Sequence, residues 1–303
     1  MKTIKNIVVA TDFSTTSRTA YDYAWRLAQH FNASIQLINV YPIMISVAED
    51  PQLMGFPEYM VDLYDNTIKL LKKFSANERD PKTITGTHVK VECKAIPGFA
   101  GDKLVELSFD PSIDLIVLGA TGEHSQLDKF FGSVSVKVAC ESNCPVLLVP
   151  GEAHYRDIQH IIYGCAEESI QWGTVRTALD WARYFSASVH FVHIKLPTQA
   201  YNHYTNEQIL KRIVNQEKDS VPCNIVSYHA EDVKEGIYRY AENNKSDLLT
   251  IVTHQRGFWE SLRHTSITSA IAWEAVLPIL VLHSDEKNLS PTHNENEVAK
   301  SVK

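Results

Sequence analysis

The chain repeats itself, and that constrains its fold more than any other feature. Ile7-Val8-Val9-Ala10 recurs as Ile161-Ile162-Tyr163-Gly164, 154 positions later. The same shift carries Ala24, Leu27, Ala28, Phe31 and Ser34 onto Ala178, Trp181, Ala182, Phe185 and Ser188. Further along the shift falls to 133, taking Asp114, Ser133, Val138 and Pro145 onto Asp247, Ser266, Ile271 and Pro278. The difference of 21 residues is a deletion in the second copy, where the long connection and helix after Val40 give way to a shorter piece, residues 197–220. A repeat interrupted by one internal deletion means two copies of one folding unit.

Within each copy, short β-branched runs alternate with helical stripes. Residues 4–10, 34–40, 88–95, 113–118 and 145–149 read as buried strands. Ala20, Tyr23, Ala24, Leu27, Ala28 and Phe31 recur at helical spacing, giving one core-facing stripe with Ser14 as its N-cap. Further helices are expected over 58–78, 100–109 and from about 133 to 141. Strict alternation of strand and helix predicts an α/β fold of parallel units with right-handed crossovers. Two tandem doubly wound domains follow, residues 1–150 and 157–284, with a seam near 150–157 and a polar tail, 285–303, that is expected to be disordered.

At 303 residues the length suits two domains, and a formal charge of -7 argues against a nucleic-acid partner. No apolar run approaches the ~20 residues that cross a bilayer, so no membrane partner is expected. The first residues run straight into a strand, which reads as a chain without a signal peptide. Five cysteines, odd in number and set mostly in apolar segments, fit reduced thiols and a cytoplasmic location.

The stretch from Gly119 to Val134 follows the fourth strand and opens the next helix. It has glycines at 119, 122 and 132 and a hydroxyl at Ser133. Glycines let another molecule approach the backbone, and a helix N-terminus favours an anion. Two readings are open: a tight strand-to-helix connection, or a phosphate cradle. Other residues fall at the same edge, where ligands of open parallel sheets bind. Asp12 follows the first strand and is placed to bond a ribose or base edge. Val40 ends the second and is placed to meet an adenine edge through its backbone. Gly119 and Gly122 would admit ribose or phosphate, and Gly132, Ser133 and Val134 would hold the phosphate tail. The spacing is neither that of a dinucleotide fold nor that of a P-loop.

The run Gly119-x2-Gly122-x9-Gly132-Ser133 matches the ATP-binding signature of the universal stress proteins, which the chain resembles. The opening Ile-Val-Val-Ala-Thr-Asp-Phe-Ser, Gly98, and Cys-Pro-Val-Leu-Leu-Val-Pro at the fifth strand are similar to that family too. The resemblance implies a five-stranded parallel sheet of order 3-2-1-4-5 with helices on both faces of each domain. It also implies that Asp12, Val40, Gly119, Gly122, Gly132, Ser133 and Val134 bind an adenine nucleotide, ATP alone or with magnesium. Family members pair through the fifth strand, which implies an intrachain pseudo-dimer here and leaves room for a homodimer. One departure stands out: Gly98-Phe99-Ala100-Gly101 replaces the family's Gly-x-Pro-Ala.

The second copy departs further. Asp12 becomes Ala166, Gly98 becomes Glu231, Gly119 becomes Val252, Gly122 becomes Gln255 and Gly132 becomes Thr265, while the hydroxyl survives as Ser266. Bulk at 252 and 255 and a carboxylate at 231 predict that this copy does not bind ATP in the family manner. Cys165, His193, His229 and His254 fall at the corresponding strand ends, an acceptable zinc set without the close-spaced pair of structural zinc sites. No nucleophile–base arrangement is visible, so the expected function is a stress-response nucleotide-binding module and not an enzyme. The alternatives are a slow ATP hydrolase of this fold and a nucleotide-free sensor with a metal in the second domain.

Overall fold

The computed structural model describes residues 3–42, 56–76, 89–120, 132–165, 172–197, 210–211, 215, 220–253 and 277–283. The first half runs β1 (Asn6–Ala10), α1 (Thr15–Phe31), β2 (Ser34–Tyr41), α2 (Phe56–Ala76), β3 (Val91–Pro97), α3 (Ala100–Leu107), β4 (Leu115–Gly119), α4 (Ser133–Glu141) and β5 (Val146–Val149). The second runs β6 (His160–Gly164), α5 (Trp172–Phe185), β7 (Ser188–Lys195), β8 (Cys223–His229), α6 (Val233–Asn243), β9 (Leu248–Thr253) and β10 (Ile279–His283). The expected tail, 285–303, lies outside the described residues.

The strand order is β3-β2-β1-β4-β5 in the first half, the expected 3-2-1-4-5, and β8-β7-β6-β9-β10 repeats it in the second. Pairing within each half is parallel throughout. The two sheets are continuous. β5 and β10 pair antiparallel, with Leu148 opposite Ile279, Leu147 opposite Leu280 and Val146 opposite Val281, giving one ten-stranded sheet. β3 begins at Val91 and runs to Pro97, later at both ends than the expected 88–95. Proline is tolerated there because β3 is an edge strand and needs no outer ladder bond.

The alternation of the strands divides the core between the two faces, and each layer crosses the seam. One face packs Ile7, Val9, Leu27, Ala28 and Leu147 with Ile161, Ala178, Phe191 and Leu280. The other packs Val8, Ile116, Val138 and Val146 with Ile162, Ile237, Leu249 and Val281. The C-terminal turns of α1 and α5 meet on the first face. There Phe31 lies 5.6 Å from Trp181, 4.4 Å from Tyr184 and 5.4 Å from Phe185, between ring centroids. The Tyr184 hydroxyl donates to the His30 carbonyl. The seam is also packed: Ala153 and Ile158 are buried, Tyr155 stacks edge-on against Tyr23, and Thr19 Oγ1 donates to Gly151 O at 3.0 Å.

Candidate functional site

The residues after β1 form a tight corner held by their own side chains. Thr11 is buried, its Oγ1 sits 2.9 Å from Ser17 Oγ, and the Phe13 N–H donates to it at 2.9 Å. This lets Phe13 take a φ of 66°, which a phenylalanine seldom adopts without such support. Ser14 caps α1 as expected, accepting from Ser17 N at 3.1 Å. Asp12 is exposed, and its Oδ1 accepts from Ser14 N at 3.1 Å and Ser14 Oγ at 2.6 Å. Those bonds orient the carboxylate at the sheet edge. Asn39 of β2 donates to Thr11 O at 2.7 Å, tying the end of β2 to this corner one residue before the half-buried Val40.

The far wall comes from β3, β4 and α4. Gly98 has a φ of 138°, a conformation that L side chains resist, and its N–H donates to Tyr41 O at 2.9 Å. Gly119 ends β4, and Gly132 donates its N–H to Ala120 O at 2.9 Å, so the two ends of the 121–131 segment meet. Gly122 lies in that segment, outside the described residues. α4 opens at Gly132 with no side-chain cap, and Ser133 and Val134 in its first turn are exposed. An uncapped helix start presents unpaired N–H groups and the positive end of the dipole. Asp12, Val40, Gly119, Gly132, Ser133 and Val134 thus share one edge of the sheet. Sequence reasoning found this edge through its strand–loop–helix order.

Gly119 has a second reason to be glycine. A Cβ there would lie 2.8 Å from Thr16 Cγ2, 3.2 Å from the Thr16 carbonyl carbon and 3.3 Å from Ser17 N. The first turn of α1 rests directly on the end of β4, and only a residue without a side chain admits it. The packing reading and the ligand reading therefore meet at one position. The sequence could not reveal this, because Thr16 and Gly119 are brought together only by the crossover.

The second half has a cavity of about 530 Å³ at the ends of β7 and β8, over the start of α6. Its wall includes Lys195, Tyr228, His229, Glu231 and the ion-paired Glu235 and Arg239, which lie 2.6 Å apart. Of these, the sequence had singled out only His229 and Glu231; the i,i+4 spacing of Glu235 and Arg239 was a readable signal for their pairing. Among the described residues, no group of three or more His, Cys, Asp or Glu side chains is placed to hold a metal. His193 Nδ1 lies 3.3 Å from the backbone carbonyl oxygen of Cys165. His254 lies outside the described residues. Burial pushes the Cys165 thiol up to about 12. All five cysteines are free. No helix among the described residues is long and apolar enough to cross a membrane.

Comparison with known proteins agrees with this architecture. The model of the universal stress protein family matches residues 3–150. A universal stress protein of Methanocaldococcus jannaschii is 28% identical over 147 residues, 48% of this chain and 81% of that protein. One from Bacillus subtilis is 28% identical over 145 residues, 47% of this chain and 97% of that protein. The crystal structure of a universal stress protein from Archaeoglobus fulgidus superposes over both halves, with a TM-score of 0.63 at 12% identity, covering 93% of this chain and 97% of that one. At such low identity the superposition speaks for the fold. Residues 3–150 thus form a domain of the universal stress protein family.

Proposed function

We propose that the chain is a stress-response module whose first domain, residues 1–150, binds ATP or a closely related adenine nucleotide. The observation that carries this reading is the start of α4: an uncapped helix N-terminus with exposed Ser133 and Val134, directly after a glycine-bearing loop at the carboxyl edge of a parallel sheet. Gly132, Ser133 and Val134 would meet the phosphates, Gly119 and Gly122 the sugar and phosphate, and Asp12 and Val40 the ribose and base. A magnesium ion would accompany the phosphates. The carboxylate of Asp12 is already engaged by Ser14, which suits positioning better than proton abstraction, so the module binds nucleotide without efficient turnover.

On this reading the second domain, residues 157–284, is a degenerate copy. It completes an intrachain pseudo-dimer through β5 and β10 and does not take nucleotide in the same way. Val252 stands where Gly119 is and packs against the core, and Glu231 replaces Gly98. The free cysteines suit a cytoplasmic setting. Mass spectrometry of small molecules released from the purified protein, followed by calorimetry with ATP, tests the proposal. An adenine nucleotide recovered and one ATP bound per chain is the expected result. Two sites per chain, or none, would overturn it. Steady release of ADP at ordinary enzymatic rates would favour the hydrolase reading instead.

A further inference from the structure

We infer that Phe99 is a nucleotide-binding residue that stacks on the base; this rests on the nucleotide reading above. Phe99 breaks two local rules at once. It is the N-cap of α3, with φ −96° and ψ 126°, and makes no side-chain capping bond because it has no polar atom to make one. It is 75% exposed and belongs to neither core layer. A residue that violates both capping and burial without a visible compensation marks a position shaped by something other than stability.

The second half supplies the comparison. The position equivalent to Phe99, 133 residues later, is Asp232. Asp232 does what an N-cap ordinarily does: its Oδ1 accepts from Glu235 N at 3.1 Å, at the start of α6. The half with the glycine loop thus carries a bare aromatic ring where the half without the loop carries a stabilising cap.

The ring's location fits a base. Gly98 is held by its bond to Tyr41 O, so Phe99 follows directly at the end of β3, the neighbour of β2, where Val40 pairs with Ile96. α3 also lies against α4. A Cβ on Gly101 would come within 2.9 Å of Lys137 Cδ, and Lys137 Nζ bonds Asp102 Oδ1 at 2.7 Å. The N-terminal turn of α3 thus stands between the end of β2 and α4, the helix whose first turn holds Ser133 and Val134. A nucleotide with its phosphates on α4 and its base towards Val40 passes this ring, and every base has a π-face for an aromatic side chain to cover.

Calorimetry with ATP on the full chain and two variants tests the inference. Phe99→Asn restores a cap and removes the ring without adding charge; Phe99→Trp keeps a ring. The expected result is that Phe99→Asn melts higher than the parent yet binds ATP about tenfold more weakly, in line with the loss of one base–aromatic stack. Phe99→Trp should bind within about threefold of the parent, with a larger ATP-dependent change in indole fluorescence than the parent shows. If Phe99→Asn binds ATP as the parent does, or Phe99→Trp is as weak as Phe99→Asn, the stacking role is wrong while the nucleotide reading stands. If the parent itself binds no ATP, the nucleotide reading fails and takes this inference with it.

Discussion

The two halves of this chain share the clasps that hold their strands and helices and differ at their crevices. Asp114 Oδ2 accepts from Lys5 N at 2.9 Å and Asn6 N at 3.1 Å, fastening the start of β1, and Asp247 Oδ2 does the same for β6 through Gln159 N at 2.9 Å and His160 N at 3.0 Å. Asn32 and Ser186 end the equivalent helices α1 and α5 with φ of 52° and 54°, and in both the next alanine closes the turn onto the helix. Such details are retained because they place strands against helices. At the carboxyl edge the halves part: Gly119 against Val252, Gly98 against Glu231, Phe99 against Asp232. Parallel sheets tolerate change at that edge because the loops there carry little of the core. One half could therefore lose its glycines and keep its fold.

The largest expected effect tests whether the halves are one cooperative body. Phe31 of α1 packs on Trp181, Tyr184 and Phe185 of α5. Phe31→Ala should cost about 3–5 kcal/mol, the usual range for truncating a buried phenylalanine, and urea unfolding should remain a single transition at a lower midpoint. A split into two transitions with the second unmoved would show that the halves unfold separately.

A smaller effect sharpens the contrast at Gly119. Writing the second half's residue into the first, Gly119→Val, drives a side chain into Thr16 and the backbone of Ser17. Overpacking of this kind costs about 1–3 kcal/mol, with the upper end expected because two of the three neighbours are backbone atoms. ATP binding should be lost as well. A variant as stable as the parent would mean that α1 shifts freely and that the glycine serves the ligand alone.

The smallest effect is a pH dependence that arises in the second half. Burial, aided by the nearby His160, holds the His190 imidazole below its ordinary 6.5, and burial does the same to His283, whose Nε2 donates to Ala139 O of α4 at 2.8 Å. The folded chain thus binds these protons less readily than the unfolded chain. As pH falls through about 6.5 the unfolded state takes up protons first, so the stability present above that value declines below it. The urea midpoint should be lower at pH 5.5 than at 7.5, and His283→Gln should narrow the gap. Equal gaps in parent and variant would exclude His283 as a contributor.

Much of the architecture is legible in the sequence. The duplication shows as a shift of 154 that falls to 133, the strands show as short β-branched runs, and the stripe from Ala20 to Phe31 follows the helical period of 3.6, all of which local sequence carries directly. The edge holding Asp12, Val40, Gly132 and Ser133 was legible too, because parallel topology sends every strand's end to the same side. β3 was misplaced by a few residues, since a proline at its end argues against a strand until its edge position is known. The Glu235–Arg239 cavity wall went unnoticed because charged pairs on a helix are common and only the third dimension sets them beside a hollow.

By itself, then, the sequence carried one strand–helix pattern twice and placed the glycines of 119, 122 and 132 in the first pass, with Val252, Gln255 and Thr265 at the equivalent positions of the second. The tertiary structure decided three further things: that the copies merge through β5 and β10 into a single sheet with shared cores, that Gly119 lies beneath the first turn of α1, and that Phe99 faces outward where Asp232 caps its helix. All three depend on contacts between residues far apart in the chain. Local pattern records which face of an element is apolar, but what comes to rest against that face is settled only when the whole chain has folded.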